Sequence, residues 1–406
     1  MDKPHRESAR HTAGQPADRE ADVIAILRPL LAVAGLAGML CSARLWVSSH
    51  RLFPLTPVFR WLPQPPFPFD YALFGAVLAC LAGIALYPRP APFLKAFLIL
   101  AGVLALLDQS RWQPWLIEYG VMFGALLLLP WGRRAEWTGR DTSAALHPCR
   151  LFLICMYFYS GLQKLGYGFV LVLGEMLQPM FERLHWSTAW LAPQKLLPVA
   201  IVMALVECGS GLLLAFPRTR RIGVVCLVLM HVSLLAWLGP LALNWNYVIW
   251  PWNLAMIALL ALLFWRPGRW GFRALAGSHA YAAGVAIVFG VLPVLTMLGL
   301  GDSYLGFSLY TGNVKGGAVY VGPKHIAELP PGVRPFAKAD GVVDIDRWSR
   351  AELGVPVYPE TRVFVSAGRQ LALWVAPDTP VRVIELEKPD PFTGERKATG
   401  YDPLTY

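Results

Sequence analysis

Long apolar runs separated by short polar connections fill the first three quarters of the chain. A helix needs about 20 largely apolar residues to cross a bilayer. Nine runs approach that length, the second and third being short: 27–47, 70–87, 92–108, 115–131, 149–171, 196–216, 221–239, 247–265 and 280–300. The pattern predicts an all-α polytopic membrane bundle of about nine transmembrane helices, with eight or ten spans as alternatives.

The pattern changes after residue 300, where charges and prolines return and no run is long enough to span. Short β-like pieces at 317–321, 361–365 and 371–375 are separated by Pro and Gly clusters. We therefore expect three regions: a basic tail (1–22), a transmembrane helical domain (23–300) and a small extracytoplasmic C-terminal module (301–406), β-rich or α+β. With so few strands, the module is expected to lean on the helical domain for stability.

The basic residues set the expected orientation. They concentrate in the N-terminal tail and in alternate connections: Arg89; Arg133, Arg134 and Arg140; Arg218, Arg220 and Arg221; Arg266, Arg269 and Arg273. Cytoplasmic loops carry the excess of Lys and Arg. This rule predicts a cytoplasmic N-terminus and, with nine spans, a C-terminus on the outer side.

Composition supports the membrane assignment and narrows the function classes. The chain is 56% hydrophobic and 15% charged, against roughly 25% charge in soluble domains. The net charge of +10 is spread over short clusters between apolar runs, so we expect no nucleic-acid partner. The six cysteines include no C-x-x-C pair, and no clustered ligand spacing predicts a metal site.

Three ionisable residues interrupt consecutive apolar runs: Lys164, Glu207 and His231. Such residues are costly in a bilayer and mark functional sites by default. At 1.5 Å per helical residue, all three fall in the outer half of the bilayer, with Lys164 roughly 10 Å deep. We expect them to face one shared cavity as catalytic residues. The structural alternatives are a Lys164–Glu207 ion pair, a snorkelling lysine and a packing histidine.

Neighbouring residues are candidates for binding a ligand. Ser160 and Tyr157 precede Lys164 by four and seven residues and share its helix face. Arg111 could clamp an anion or carboxylate, or could belong to an ordered turn in which it pairs with Asp108. Trp245 could rim the cavity, or could anchor the chain in the aromatic belt.

The segment Tyr-Phe-Tyr-Ser-Gly-Leu-Gln-Lys-Leu at 157–165 resembles the aromatic helix ending in G-x-x-K-L of the vitamin K-dependent γ-carboxylase family, whose bacterial relatives are the HTTM-domain proteins. The pattern around His231 and the expected topology are also similar. The resemblance covers roughly residues 25–300. It implies that Lys164 is the base that deprotonates a reduced naphthoquinone, with His231 as a weaker match.

Two departures limit what the resemblance implies. Gln163 stands where the carboxylase has a second lysine, and only about 106 residues follow the last run, too few for its large propeptide-binding domain. We therefore expect this protein to share the family's lipid-binding pocket but not the carboxylation of a docked protein.

The leading hypothesis is thus a multi-pass protein of a bacterial inner membrane, with a periplasmic C-terminus, that acts on a quinone-like lipid with Lys164 as base. The alternative is a non-enzymatic accessory or assembly subunit that docks a periplasmic protein partner through residues 301–406. A transporter is disfavoured because the sequence has no inverted repeat. The sequence leaves open whether the protein is an enzyme.

Overall fold

The computed structural model describes residues 16–132, 136–239, 247–266 and 270–406. They form a mostly helical protein with a small sheet near the C-terminus. The helices are α1 Pro16–Cys41, α2 Ala43–Trp46, α3 Phe69–Leu86, α4 Ala91–Leu107, α5 Pro114–Leu126, α6 Gly139–Gln163, α7 Tyr167–Arg183, α8 Pro193–Ala215, α9 Arg220–Leu238, α10 Ile249–Phe264, α11 Phe272–Gly277, α12 Ala280–Met297, α13 Ile345–Leu353 and α14 Thr361–Ala372. The strands are β1 Gly316–Tyr320, β2 Val342–Val343, β3 Arg382–Leu386 and β4 Ala398–Tyr401.

Each of the nine predicted runs contains a helix. Within the described ranges, five helices are long and apolar enough to cross a membrane: Arg19–Cys41, Phe69–Leu86, Pro193–Leu214, Arg220–Leu238 and Ala280–Met297. Two shorter apolar helices are Ala91–Leu107 and Ile249–Phe264. The mostly helical architecture is confirmed and its apolar helices indicate a membrane-spanning protein, but nine spans are not confirmed. The helix α6 has a polar first half, and α5 has only 13 residues.

The predicted run 149–171 is two helices rather than one. The helix α6 starts at a capping box between Thr138 and Asp141 and ends at Gln163. The helix α7 starts at Tyr167, whose amide donates to the carbonyl of Pro391 in the C-terminal module. Lys164 is therefore the C-terminal cap of α6, and the expectation of one continuous helix through it is wrong.

Small residues bring α6 and α8 into close contact. A Cβ added to Gly161 would overlap the backbone nitrogen of Cys208 and lie 2.8 Å from the carbonyl oxygen of Ala204. One added to Gly211 would lie 2.7 Å from the backbone nitrogen of Phe158. Side chains on the facing sides of these helices can therefore meet, as small-residue interfaces in membranes allow.

The C-terminal sheet is antiparallel, in the order β2-β1-β3-β4. The predicted strand at 317–321 is confirmed as β1, but the β-like pieces at 361–365 and 371–375 fall in α14 and the turn after it. The buried residues of α14 include Phe364, Ala367, Gly368 and Leu371, whose separations of three and four positions are a helical spacing. The β-branched residues alone had favoured strands.

The module packs directly on the helical bundle. The carboxylate of Glu352 in α13 accepts hydrogen bonds from the backbone amides of Leu52 and Phe53, in the connection between α2 and α3. The ring of Phe53 lies 4.9 Å from that of Trp348, centroid to centroid. Both rings belong to one buried core that continues into the bundle. This contact gives the predicted dependence of the module on the bundle a physical basis.

The opposite end of the bundle carries a basic cluster. The guanidinium of Arg220 stacks on Trp270 at 3.3 Å from the ring centroid, and that of Arg150 lies 4.8 Å from it. Arg150 also pairs with Glu20 of α1 at 3.2 Å. Most of the predicted basic tail, together with Arg133, Arg134 and Arg269, lies outside the described residues.

Candidate functional site

A cavity of about 400 Å³ lies at the end of the bundle that carries the module. Helices α6 to α10 form its walls, and the segment after α12 covers it. Apolar side chains supply most of the lining. The polar side chains that line it are Tyr157, Ser160, Lys164, Glu207, His231, Ser233, Asn253 and Tyr310. Three predicted catalytic residues and two predicted binding residues therefore face one space.

The first polar group of the cavity is the Lys164–Glu207 pair. The Lys164 ammonium lies 2.6 Å from the Glu207 carboxylate of α8 and 3.0 Å from the Ser160 hydroxyl of α6. The side chains of Lys164 and Glu207 are only 13% and 8% exposed. Lys164 reaches both partners by extending back along α6. The Lys164–Glu207 ion pair, predicted from the sequence as a structural alternative to catalysis, is therefore present, and both side chains line the cavity.

The second polar group is a chain of three side chains. The Tyr157 hydroxyl lies 2.7 Å from Nε2 of His231, and Nδ1 of His231 lies 2.6 Å from Oδ1 of Asn253 in α10. Asn253 also donates from Nδ2 to the carbonyl of Ile249, at 2.7 Å. All three side chains are buried. Because α6, α9 and α10 each contribute one residue, the chain ties three walls of the cavity together.

The cavity reaches the outer surface of the bundle between α8 and α9. Val202, Val206 and Leu229 line it and are about half exposed. Towards the other end of the bundle the same helices touch, since a Cβ on Gly223 would lie 2.8 Å from the Ser210 carbonyl. The two helices therefore leave an apolar opening on the face that a bilayer would cover.

The segment 306–310 covers the cavity, and Gln163 holds it. The Gln163 side chain donates to the carbonyl of Gly306 and accepts from the hydroxyl of Ser308. Phe307 and Tyr310 both line the cavity and adopt positive φ angles, 65° and 57°. Such conformations are uncommon for large side chains and persist only where neighbours enforce them. Gln163, next to Lys164 in the sequence, is one such neighbour.

Arg111 is not part of this cavity. Its three guanidinium nitrogens donate to the carbonyls of Leu45, Trp46 and Leu104, at 2.9–3.0 Å. The side chain is fully buried. The expected partner Asp108 instead accepts from Arg51. Arg111 therefore has no donor directed to a ligand in the cavity and instead joins the ends of α2 and α4.

Trp245, predicted to rim the cavity, lies outside the described residues. Trp252, four residues into α10, does line it, and its indole donates to the Glu118 carboxylate of α5 at 2.7 Å. Glu118 is fully buried.

Asn253, Gln163 and Trp252 were not among the predicted site residues. Asn253 had a usable signal, because an amide inside an apolar run needs a partner. Gln163 and Trp252 had weaker signals: an amide next to Lys164 that can form hydrogen bonds, and an indole in an aromatic rim, which is also typical of the membrane interface.

Comparisons with protein-family models, curated proteins and solved structures found no match for the chain. Among the described residues, no group of three or more His, Cys, Asp or Glu side chains could hold a metal ion.

Proposed function

We propose that this protein binds a quinone-like lipid in the cavity between α6 and α10 and uses Lys164 as a base on its head group. The observation that carries the proposal is the position of the Lys164–Glu207 pair in an apolar cavity that opens between α8 and α9. A purely structural ion pair needs no such space. The proposal agrees with the resemblance of residues 157–165 to the γ-carboxylase and HTTM proteins.

The shape and polarity of the cavity define the ligand class. Ligand pockets are mostly apolar, with a few convergent polar groups that fix orientation. Here the polar groups are an ammonium, a carboxylate and the Tyr157–His231 pair, while Val206 and Leu229 flank the opening. A flat ring with oxygen substituents suits the polar groups. An isoprenoid chain attached to it would leave through the opening into the bilayer.

The contact between Lys164 and Glu207 gives a route to a base. Transfer of one proton across the 2.6 Å contact converts the ion pair into a neutral amine and a carboxylic acid. The amine then accepts a proton from a ligand hydroxyl, and the resulting ammonium faces the ligand oxyanion. Separated charges are costly in apolar surroundings, which is the physical basis of the proposed transfer in this mostly apolar cavity.

The proposed setting is a bacterial inner membrane, with the N-terminus in the cytoplasm and the module in the periplasm. The basic cluster of Arg150 and Arg220 lies at the end of the bundle opposite the module, which supports this orientation. The cavity would then open into the outer leaflet, where a membrane lipid is the partner.

Binding of a reduced isoprenoid naphthoquinone to the purified protein in lipid nanodiscs tests the proposal. Lys164→Met should lower affinity at least tenfold and stop any deprotonation of the bound ligand. Lys195→Met is the matched control, since Lys195 is an exposed lysine on α8 outside the cavity. Equal binding by both variants would contradict the proposal and favour the accessory-subunit alternative.

A further inference from the structure

Asn253 has a role that follows from its hydrogen bonds. We infer that Asn253 is a positioning residue that holds His231 in the Nδ1–H tautomer, so that the Tyr157–His231 pair accepts a proton from a ligand hydroxyl other than the one that Lys164 deprotonates. The tautomer follows from the hydrogen bonds of the protein alone. The proton step rests on the proposed function, because it needs a hydroxyl-bearing ligand in the cavity.

The direction of each hydrogen bond can be assigned from one fixed point. The carbonyl of Ile249 can only accept, so the Asn253 atom 2.7 Å from it is the amide nitrogen. The amide oxygen therefore faces Nδ1 of His231 at 2.6 Å, and Nδ1 must carry the proton. In a neutral imidazole Nε2 is then an acceptor, so the Tyr157 hydroxyl donates to it at 2.7 Å.

Because the Tyr157 hydroxyl donates its proton to Nε2 of His231, the Tyr157 oxygen can only accept a hydrogen bond from a group in the cavity. A ligand hydroxyl can donate to that oxygen. In the proton step the ligand O–H bond breaks, and its proton moves to Tyr157. The Tyr157 proton moves to Nε2, which yields a ligand oxyanion and an imidazolium. No electron transfer and no further reactant are needed, and Asn253 keeps accepting from Nδ1–H throughout.

Charged groups lie on the helices packed around the imidazole. Lys164 of α6 and Glu207 of α8 line the same cavity as His231, and Glu118 of α5 accepts from Trp252 at its edge. Glu207 compensates an imidazolium, and the Lys164 ammonium compensates a ligand oxyanion. A histidine that only packs would need no acceptor oxygen facing the cavity.

Nitrogen-15 NMR of histidine-labelled protein in lipid, without ligand, tests the tautomer. The His231→Gln spectrum assigns the signals. We expect Nδ1–H in the wild type, loss of its dominance in Asn253→Leu, and doubly protonated His231 in Asn253→Asp, whose carboxylate stabilises an imidazolium. His147, which faces the Ala274 carbonyl at the other end of the bundle, is the internal control and should not change. A wild-type Nε2–H tautomer, or an unchanged one in Asn253→Leu, would overturn the inference whether or not quinol binds.

A second measurement tests the proton step. Adding a reduced naphthoquinone should create an imidazolium signal at His231 in the wild type and not in Asn253→Leu, with binding followed separately by tryptophan fluorescence. Binding without an imidazolium signal would overturn the relay and leave the proposed function standing. Absence of binding with the Nδ1–H tautomer present would remove the proposed function and the proton step that rests on it, while the tautomer assignment stands.

Discussion

Replacing Lys164 by Met should destabilise the fold as well as stop ligand chemistry. The substitution leaves the Glu207 carboxylate, 8% exposed, without its partner at 2.6 Å. Breaking a buried pair by removing one partner costs roughly 3–5 kcal/mol, because an uncompensated charge remains. Replacing both partners by apolar residues of similar size is often neutral or stabilising. We therefore expect Lys164→Met to lower the free energy of unfolding by about 3 kcal/mol, and Lys164→Met with Glu207→Leu to restore it to within ~1 kcal/mol of the wild type.

Unfolding in mixed micelles, followed by tryptophan fluorescence over a denaturant series, measures these free energies. Ligand binding measured on the same samples separates stability from function, since the double variant should fold well and bind poorly. A double variant as unstable as the single one would show that the two side chains do not interact. A stable double variant that binds the quinol like the wild type would refute the proposed role of the pair.

Three further predictions test packing, access and titration. Gly161→Ala should push α6 away from α8 and lower the free energy of unfolding by roughly 1–3 kcal/mol through overpacking. Gly209→Ala is the control, because a Cβ there meets nothing within 4 Å, and it should change the free energy of unfolding little. Denaturant unfolding of the two variants compares these free energies. Val206→Trp should block the opening between α8 and α9 and slow quinol binding in stopped-flow experiments. Leu205→Trp is the control, because Leu205 lies on the same helix but outside the cavity lining, and it should leave the binding rate unchanged. Equal binding rates in the two variants would exclude entry between α8 and α9. Burial, with a contribution from Asp302, raises the pKa of Glu360 in the module to about 7. Because this folded-state pKa is above the unfolded value, protonated Glu360 stabilises the fold fully below about pH 4.5, and this stabilisation is lost as pH rises through 7. Thermal melts recorded from pH 4 to 8 should therefore show a melting temperature that falls less with pH in Glu360→Gln than in the wild type.

Hydrophobic patterning located the helices well, because a helix of a membrane bundle must be apolar over most of its length. It could not locate the end of α6. Gly166 and Gly168 follow Lys164 and are a local signal for the end of a helix, but the long apolar run outweighed it. Contacts with the module accompany the break, because Tyr167 bonds to Pro391 and Gly168 packs on Gly312, and these contacts join residues far apart in the sequence.

The candidate site was partly predictable for a similar reason. A lysine, a glutamate and a histidine in apolar segments must find partners, so their convergence could be expected. Which partners they find depends on helix rotation, which the sequence does not specify. Arg111 satisfies backbone carbonyls outside the cavity, and Asn253 supplies the acceptor that orients His231. The strand predictions at 361–365 and 371–375 failed because β-branched residues outweighed a helical spacing that was also present.

The most direct test of the central claim is cryo-electron microscopy of the protein in lipid nanodiscs saturated with a reduced isoprenoid naphthoquinone. We expect ring density within hydrogen-bonding distance of the Lys164 ammonium and chain density leaving between Val206 and Leu229. An empty cavity at saturation, or ligand bound only elsewhere on the bundle, would contradict the claim that this cavity is a lipid site.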